Sequence, residues 1–340
     1  MTTVLTSLNA SLHASMESSD RVFIIGEDIL DPYGGAFKVT KGLSTRFPDR
    51  VLTTPISEAA IVGVATGMAM RGFRPVAEIM FGDFTLLAGD QLVNHASKFA
   101  WMYNGKVSVP LVVRTPMGGR RGYGPTHSQT LEKMLLGVPG LRVVAVSALG
   151  DPGGLLAAAI ATEGPVLFIE HKLLYAQAVL EPGHGALADF EMMTTGSTFP
   201  TYSLRFIGQE RASVTIACYG YMFDLVWNAA LSLALEHEVF CEIIVLSQLS
   251  PFELEPLFNS VRSSQRLVVA EEGGLTLGWG AEVVTRVVES AVFTDAPAVR
   301  RVAALDLPIA NSKPLEDATL PSVDDIVSAA LELASRKISA

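Results

Sequence analysis

Short apolar, β-branched runs alternate along this chain with longer segments of helical spacing. In the first half the runs are Val22–Ile25, Pro75–Met80, Val109–Arg114, Leu141–Val146 and Val166–Glu170, and helices are expected over Ser57–Arg71, Phe84–Tyr103 and Pro152–Thr162. Strands that are apolar on both faces are covered on both faces. The alternation therefore predicts a parallel sheet between helical layers. In such sheets ligands bind beyond the carboxyl ends of the strands.

From about Ala176 to Ala212 the pattern stops, and Pro182, Gly183, Gly185, Gly196, Pro200 and Gly208 break up a mixed polar stretch that reads as a linker. It resumes with strands at Val214–Tyr219, Cys241–Leu246, Arg266–Ala270 and Val299–Ala303, and with helices near Phe223–Glu236, Leu277–Ser290 and Val323–Ser335. The expected organisation is α/β in two domains, residues 1–178 and 213–340, joined by a linker over 179–212. No fixed-period repeat or low-complexity tract interrupts it.

One helix stands out. Between Ser57 and Arg71 the only ionisable side chains are Glu58 at the start and Arg71 at the end. A helix that is apolar nearly all round is a buried helix, which puts Glu58 at the edge of a core. Two readings follow. Ser57 can cap the helix while Glu58 complements the macrodipole, an effect of roughly 0.3–1 kcal/mol. Alternatively, a carboxyl in apolar surroundings can exchange a proton with a ligand.

Composition narrows the class. Hydrophobic residues make up 49% of the 340 and charged ones 18%, and the mean hydropathy is +0.36. No apolar run reaches the roughly 18–20 residues of a membrane span, so the excess is expected in buried strands and subunit interfaces. Net charge is −10 without a dense basic run, which argues against nucleic acid as a partner. Cys218 and Cys241 lie in no paired-ligand spacing and fit buried thiols in a reducing cytosol. The N-terminal stretch lacks the pattern of a secretory signal, so the expected location is cytoplasmic.

Three loops follow strand ends: Gly26-Glu27-Asp28, Met80-Phe81-Gly82-Asp83-Phe84, and the glycine-rich Arg114–Gln129 segment that contains His127. Taken singly each has an ordinary explanation. His127 can be a packed histidine, Phe81 and Phe84 core aromatics, and Gly118, Gly119, Gly122 and Gly124 a flexible loop. A glycine-rich loop ending in a histidine before a helix also fits a lid that carries an acid–base group. Arg120 and Arg121 read either as solvated charges or as contacts to an acidic substrate or carrier. Walker, Gly-x-Gly-x-x-Gly, nucleophile-elbow and His-Glu-x-x-His patterns are absent, and Gly273, Gly274, Gly278 and Gly280 read as a turn with close helix packing.

Together these segments carry a resemblance. Gly26-Glu27-Asp28, Gly35, Phe37, Thr54-Pro55-Ile56-Ser57-Glu58, Val76–Phe84, Asp90–Asn94, His127-Ser128-Gln129, Pro139-Gly140-Leu141, Gly164-Pro165-Val166, Glu271-Glu272-Gly273-Gly274 and Leu315-Glu316-Asp317 are ordered as in one family. Over roughly residues 5 to 335 the chain resembles the beta subunit of the thiamine-diphosphate-dependent, decarboxylating component of 2-oxo acid dehydrogenase complexes.

The resemblance implies a pyrimidine-binding domain followed by a transketolase C-terminal-type domain. It implies a cofactor shared with an alpha subunit, which holds the diphosphate and its magnesium, in an α2β2 heterotetramer. It further implies delivery of the acyl group to a lipoyl-bearing acyltransferase core or other acyl carrier. Glu58 corresponds to the carboxylate that hydrogen-bonds a pyrimidine nitrogen, and Phe84, with Phe81 as second candidate, to an aromatic ring against the pyrimidine. His127 corresponds to a histidine that assists acyl transfer, and Glu27 lies near the cofactor. Carbonyls of Leu111, Ala159, Ile160, Thr162 and Gly164 correspond to a potassium site, with Thr162 in place of an acidic residue. The resemblance leaves open an acetoin-cleaving or biosynthetic acyl-transferring relative, or a structural partner without turnover.

Overall fold

A computed structural model describes residues 2–183, 185–196, 198–293 and 295–336. The chain divides into two compact units, Met1–Gly118 with Thr126–Val179, and Gly119–Pro125 with Leu180–Ala340.

The first unit is built on strands β1 (Val22–Gly26), β2 (Val51–Thr53), β3 (Arg74–Glu78), β4 (Val112–Met117), β5 (Arg142–Ala145) and β6 (Val166–His171). They lie in the order β5, β6, β4, β3, β1, β2, each neighbouring pair parallel. From β1 the chain crosses to one side and from β3 to the other, so a crevice opens where the carboxyl ends of β1 and β3 adjoin. β4 and β6 are buried along their whole length, as expected for strands covered on both faces.

Helices α1 (Val4–Ser18), α2 (Leu43–Arg46), α3 (Glu58–Met70), α4 (Phe99–Met102) and α5 (Pro152–Ala161) accompany this sheet. α1 did not stand out in the sequence. Thr3 and Thr6 form a capping box and Val4, Leu8, Leu12 and Met16 make one buried stripe at four-residue spacing. It packs on α5, where the Ser7 hydroxyl accepts from Gly153 N (2.9 Å) and the Ser11 hydroxyl donates to Gly153 O (2.7 Å). A Cβ at Gly153 would lie 2.6 Å from Ser7 O, so this approach requires glycine.

Two expectations are corrected here. The single helix expected over Phe84–Tyr103 is a 3-10 segment (Gly82–Ala88), a π segment (Gln91–Ala96) and the one-turn α4. α3, expected to be buried all round, buries Glu58, Ile61, Val62, Ala65, Thr66 and Ala69, but leaves Ala60, Gly63, Val64 and Gly67 exposed. Periodicity in so uniform a helix carries no sign of which face is covered.

The second unit has strands β7 (Phe190–Thr195), β8 (Thr201–Phe206), β9 (Val214–Cys218), β10 (Cys241–Leu246), β11 (Gln248–Ser250), β12 (Arg266–Gly274) and β13 (Ala298–Ala304). Its sheet runs β13, β12, β9, β10, β8, β7. Central pairs are parallel, whereas β8 runs antiparallel to both β10 and β7. The stretch 179–212, expected to be a linker, thus supplies an antiparallel edge of the sheet. Helices α6 (Met222–His237), α7 (Glu255–Ser264), α8 (Trp279–Glu289), α9 (Lys313–Thr319) and α10 (Val323–Ala334) complete the unit.

Gly278 and Gly280 at the start of α8 have a specific reason. The buried Glu271 carboxylate accepts from Gly280 N (3.0 Å) and pairs with Arg301 (3.0 Å). A Cβ on either glycine would lie within 2.7 Å of its oxygens. Burial pushes the Glu271 carboxyl up despite these partners.

Candidate active site

The candidate site residues Glu27, Glu58, Phe81, Phe84 and His127 all lie in the first unit, on segments that leave the carboxyl ends of the strands. Glu27 directly follows β1. The preceding Gly26 is close to β3, and a Cβ there would lie 3.0 Å from Glu78 O. β2 leads through Thr54, whose N donates to Gly26 O (3.0 Å), into α3. Ser57 caps that helix by accepting from Ala60 N (3.4 Å), so Glu58 occupies its first turn.

Glu58 is 7% exposed, and among the described residues nothing donates a hydrogen bond to its carboxylate. Its charge reaches Glu27. Partial burial raises the Glu27 carboxyl above its ordinary range, and the charges of Asp28 and Glu58 raise it further. The sequence left Glu58 between a helix-end charge and an acid–base group. The structure shows a capped helix start whose first-turn carboxylate is mostly buried.

Beyond β3 the chain turns at Phe81-Gly82-Asp83-Phe84. A side chain on Gly82 would collide with Met117 of β4, which explains the glycine. Asp83 Oδ1 accepts from Gln129 Nε2 (2.8 Å) and Gln129 N (3.3 Å). That tether places His127 edge-on to both Phe81 (ring centroids 4.8 Å apart) and Phe84 (5.2 Å). Its Nδ1 lies 2.9 Å from Thr126 Oγ1. Phe81 in turn meets Phe84 (5.8 Å) and Phe37 (5.7 Å), and Phe37 meets Tyr175 (5.3 Å). The three rings singled out from two loops are one continuous aromatic wall.

A buried charged network that sequence reasoning did not single out supports this wall. Arg114 of β4 is 1% exposed and donates through Nε to Glu170 Oε1 (2.8 Å), through Nη2 to Glu170 Oε2 (2.5 Å), and through Nη1 to Glu78. Tyr175 donates its hydroxyl to Glu170 Oε2 (2.6 Å). Burial pushes the Glu78 carboxyl up against the pull of Arg114, and the Glu170 charge adds to the rise. Burial and the Glu170 charge raise the Tyr175 phenol well above its usual value. Lys172, also buried, donates to Gly118 O (2.5 Å) with its ammonium 5.4 Å from the Phe81 ring centre. The available signal was a charge at the carboxyl end of each apolar run: Glu78, Arg114 and Glu170.

The glycine-rich loop 119–125 belongs to the second unit. Gly119 N and Arg120 Nε donate to Glu272 (2.8 and 3.1 Å), and Arg120 N and Gly122 N donate to Glu316 (2.7 and 3.1 Å). Arg120 Nη2 also reaches Pro321 O (2.7 Å). Arg120 is therefore an anchor of the loop. Arg121 is exposed and lies against Tyr123.

Four of the five carbonyls expected to hold potassium, all but that of Gly164, each accept a hydrogen bond. Leu111 O accepts from Val166 N (2.8 Å), Ala159 O from Thr162 N (3.2 Å), and Ile160 O and Thr162 O from Arg74 Nη1 (2.9 and 3.2 Å). Among the described residues no cluster of three or more His, Cys, Asp or Glu side chains can hold a metal ion.

Comparison with known proteins agrees with this layout. The family model "Transketolase, pyrimidine binding domain" matches residues 2–177, and "Transketolase, C-terminal domain" matches residues 206–326. The chain is 38% identical to pyruvate dehydrogenase E1 component subunit beta-2 of Oryza sativa, over 99% of this chain and 87% of that protein. It is 36% identical to the E1 component subunit beta of Rickettsia conorii, over 96% of each. Among solved structures it is similar to a split-gene transketolase described as an inactive beta4 tetramer (TM-score 0.71, 19% identity, covering 98% of this chain and 99% of that one). A transketolase from Leishmania mexicana aligns with TM-score 0.68 at 15% identity, covering 98% of this chain and 45% of that one.

Proposed function

Because the chain belongs to the beta-subunit family of the thiamine-diphosphate-dependent, decarboxylating 2-oxo acid dehydrogenases, we propose that it supplies the pyrimidine side of a shared active site and decarboxylates pyruvate with an alpha subunit. The observation that carries this reading is Glu58. It is 7% exposed, and among the described residues nothing donates to its carboxylate. That leaves the acceptor open to a ring nitrogen carrying a proton, and the residues present fit the aminopyrimidine.

When bound, thiamine diphosphate supplies the electron sink that takes up the carboxylate's bonding pair as carbon dioxide leaves. The chain's own groups do the rest. Glu58 holds the proton at the pyrimidine nitrogen. Glu27, its carboxyl already raised, is a second proton-holding group within reach of that charge. Phe84 and Phe81 present the ring wall that orients the pyrimidine and excludes water. His127, held edge-on to both, presents its imidazole for transfer of the acyl group to a lipoyl carrier.

Magnesium and the diphosphate fall to the alpha subunit in this reading; among the described residues no group of three or more His, Cys, Asp or Glu could hold a metal ion. Exposed apolar side chains in the first unit support a subunit surface, with Trp101 85%, Ile56 76%, Leu87 61% and Val64 54% exposed. An assembly of two alpha and two beta chains would cover them. Buried thiols at Cys218 and Cys241, the latter pushed up to about 12 by burial, suit a reducing compartment such as the cytosol. Among the described residues no helix is long and apolar enough to cross a membrane.

The test is reconstitution with the alpha subunit. Glu58→Gln should lower carbon dioxide release from pyruvate by about 10²-fold or more, while calorimetry still detects cofactor binding. Undiminished turnover in that variant would remove the assignment.

A further inference from the structure

The carbonyl cluster at the end of α5 carries its own cation. A helix ends in carbonyls that lack intrahelical donors and bears a partial negative charge there. α5 has no basic residue in its last turn, so its own sequence does not answer that charge. Arg74 answers it from the first position of β3. Its guanidinium donates to Ile160 O and Thr162 O and pairs with the Glu163 carboxylate. Its backbone is fixed by Arg74 N donating to Arg21 O (2.8 Å) and by strand register opposite Val22.

Ile160 O and Thr162 O are two of the five oxygens that the family resemblance would give to potassium. The donor set does not fit that ion here. Arginine is permanently charged, and a monovalent cation placed on the same two carbonyls would stand against a like charge. Thr162 brings a hydroxyl where an acidic side chain would add negative charge, and that hydroxyl is spent on Ala158 O (3.0 Å). The Glu163 carboxylate, next in sequence to Thr162, is already paired with Arg74. We infer that Arg74 is the built-in cation of this site, and that the junction of α5, β4 and β6 needs no potassium.

Two measurements on the full chain paired with its alpha subunit test this. Thallium(I), a heavy stand-in for potassium, is soaked into crystals and its anomalous signal recorded. Wild type should show no peak at the Ile160 and Thr162 carbonyls, and Arg74→Met, which keeps the stem and removes the charge, should gain one. In choline chloride, Arg74→Met should melt about 2–5 °C below wild type, and Arg74→Lys should recover part of the loss. A thallium peak on these carbonyls in wild type overturns the inference. So does an Arg74→Met chain that melts with wild type in choline, since the guanidinium then supplies nothing the carbonyls require. Should Arg74→Met fail to fold, the wild-type crystals and the lysine variant still decide.

Discussion

Replacing Arg114 by Met removes the cation from a site that two carboxylates share. Arg114, Glu78 and Glu170 are all at least 94% buried, as their exposures are 1%, 6% and 1%. Taking away one partner of a buried ion pair leaves an uncompensated charge and costs about 3–5 kcal/mol. At roughly 2–4 °C per kcal/mol for a unit of this size, melting at pH 7.5 should fall by roughly 6–20 °C. The deficit should depend on pH with a definite sign. Glu78 already has a raised carboxyl, and losing Arg114 removes the strongest influence that lowers it. A group whose folded pKa lies above its unfolded value of 4.5 is stabilising below that value, and its contribution is lost as pH rises through the folded pKa. Calorimetric melting at pH 7.5 and pH 5.5 should therefore show a smaller gap between variant and wild type at the lower pH. Adding Glu78→Gln should narrow the gap at pH 7.5. A shift under 2 °C at pH 7.5, or a gap that widens on acidification, would refute the argument that charge pairing holds this network.

Further outcomes follow from individual contacts. Gly82→Ala forces a methyl group into Met117, should cost about 1–3 kcal/mol, and should weaken cofactor binding by displacing Phe84, measurable by calorimetry with the reconstituted pair. Glu27→Gln removes a carboxylate raised by burial and by its neighbours Asp28 and Glu58, so it should raise the melting temperature slightly at pH 7.5, and calorimetry should show that gain shrinking as pH falls. His127→Asn should leave decarboxylation within about tenfold of wild type and slow acyl transfer by about 10²-fold or more, seen as artificial-acceptor activity that outlasts lipoyl reduction.

The strands that flank this site were legible because they are apolar on both faces. Val22–Ile25 and Val166–Glu170 correspond to β1 and β6 within a residue or so of each end. β7 and β8 were not legible. They form an edge hairpin with Glu191, Met193, Thr194 and Thr195 facing solvent and with Gly196 and Pro200 in the turn, which gives the composition of a linker. The segment after Phe84 lost its helical regularity to 3-10 and π turns. Glu58 and His127 stood out as candidates because carboxylate and imidazole are conspicuous in apolar or glycine-rich company. Glu78, Arg114, Glu170 and Tyr175 were hidden because each, taken alone, reads as an ordinary charge or ring. The register of β3, β4 and β6 brings the three charges together, and the turn after β6 adds Tyr175.

The loop 119–125 bears on how this protein can be divided. Its residues count with the second unit, held there by Glu272 and Glu316, yet they lie in sequence between Gly118 and Thr126 of the first. A gene cut at residue 179 would keep Arg120 and discard both carboxylates that anchor it. The excised first half would keep the Asp83–Gln129 tether behind His127 but lose the anchors of residues 119–125 before it. The two halves cannot be exchanged among relatives as independent cassettes; a working swap must carry Gly119–Pro125 from the same parent as Glu272 and Glu316.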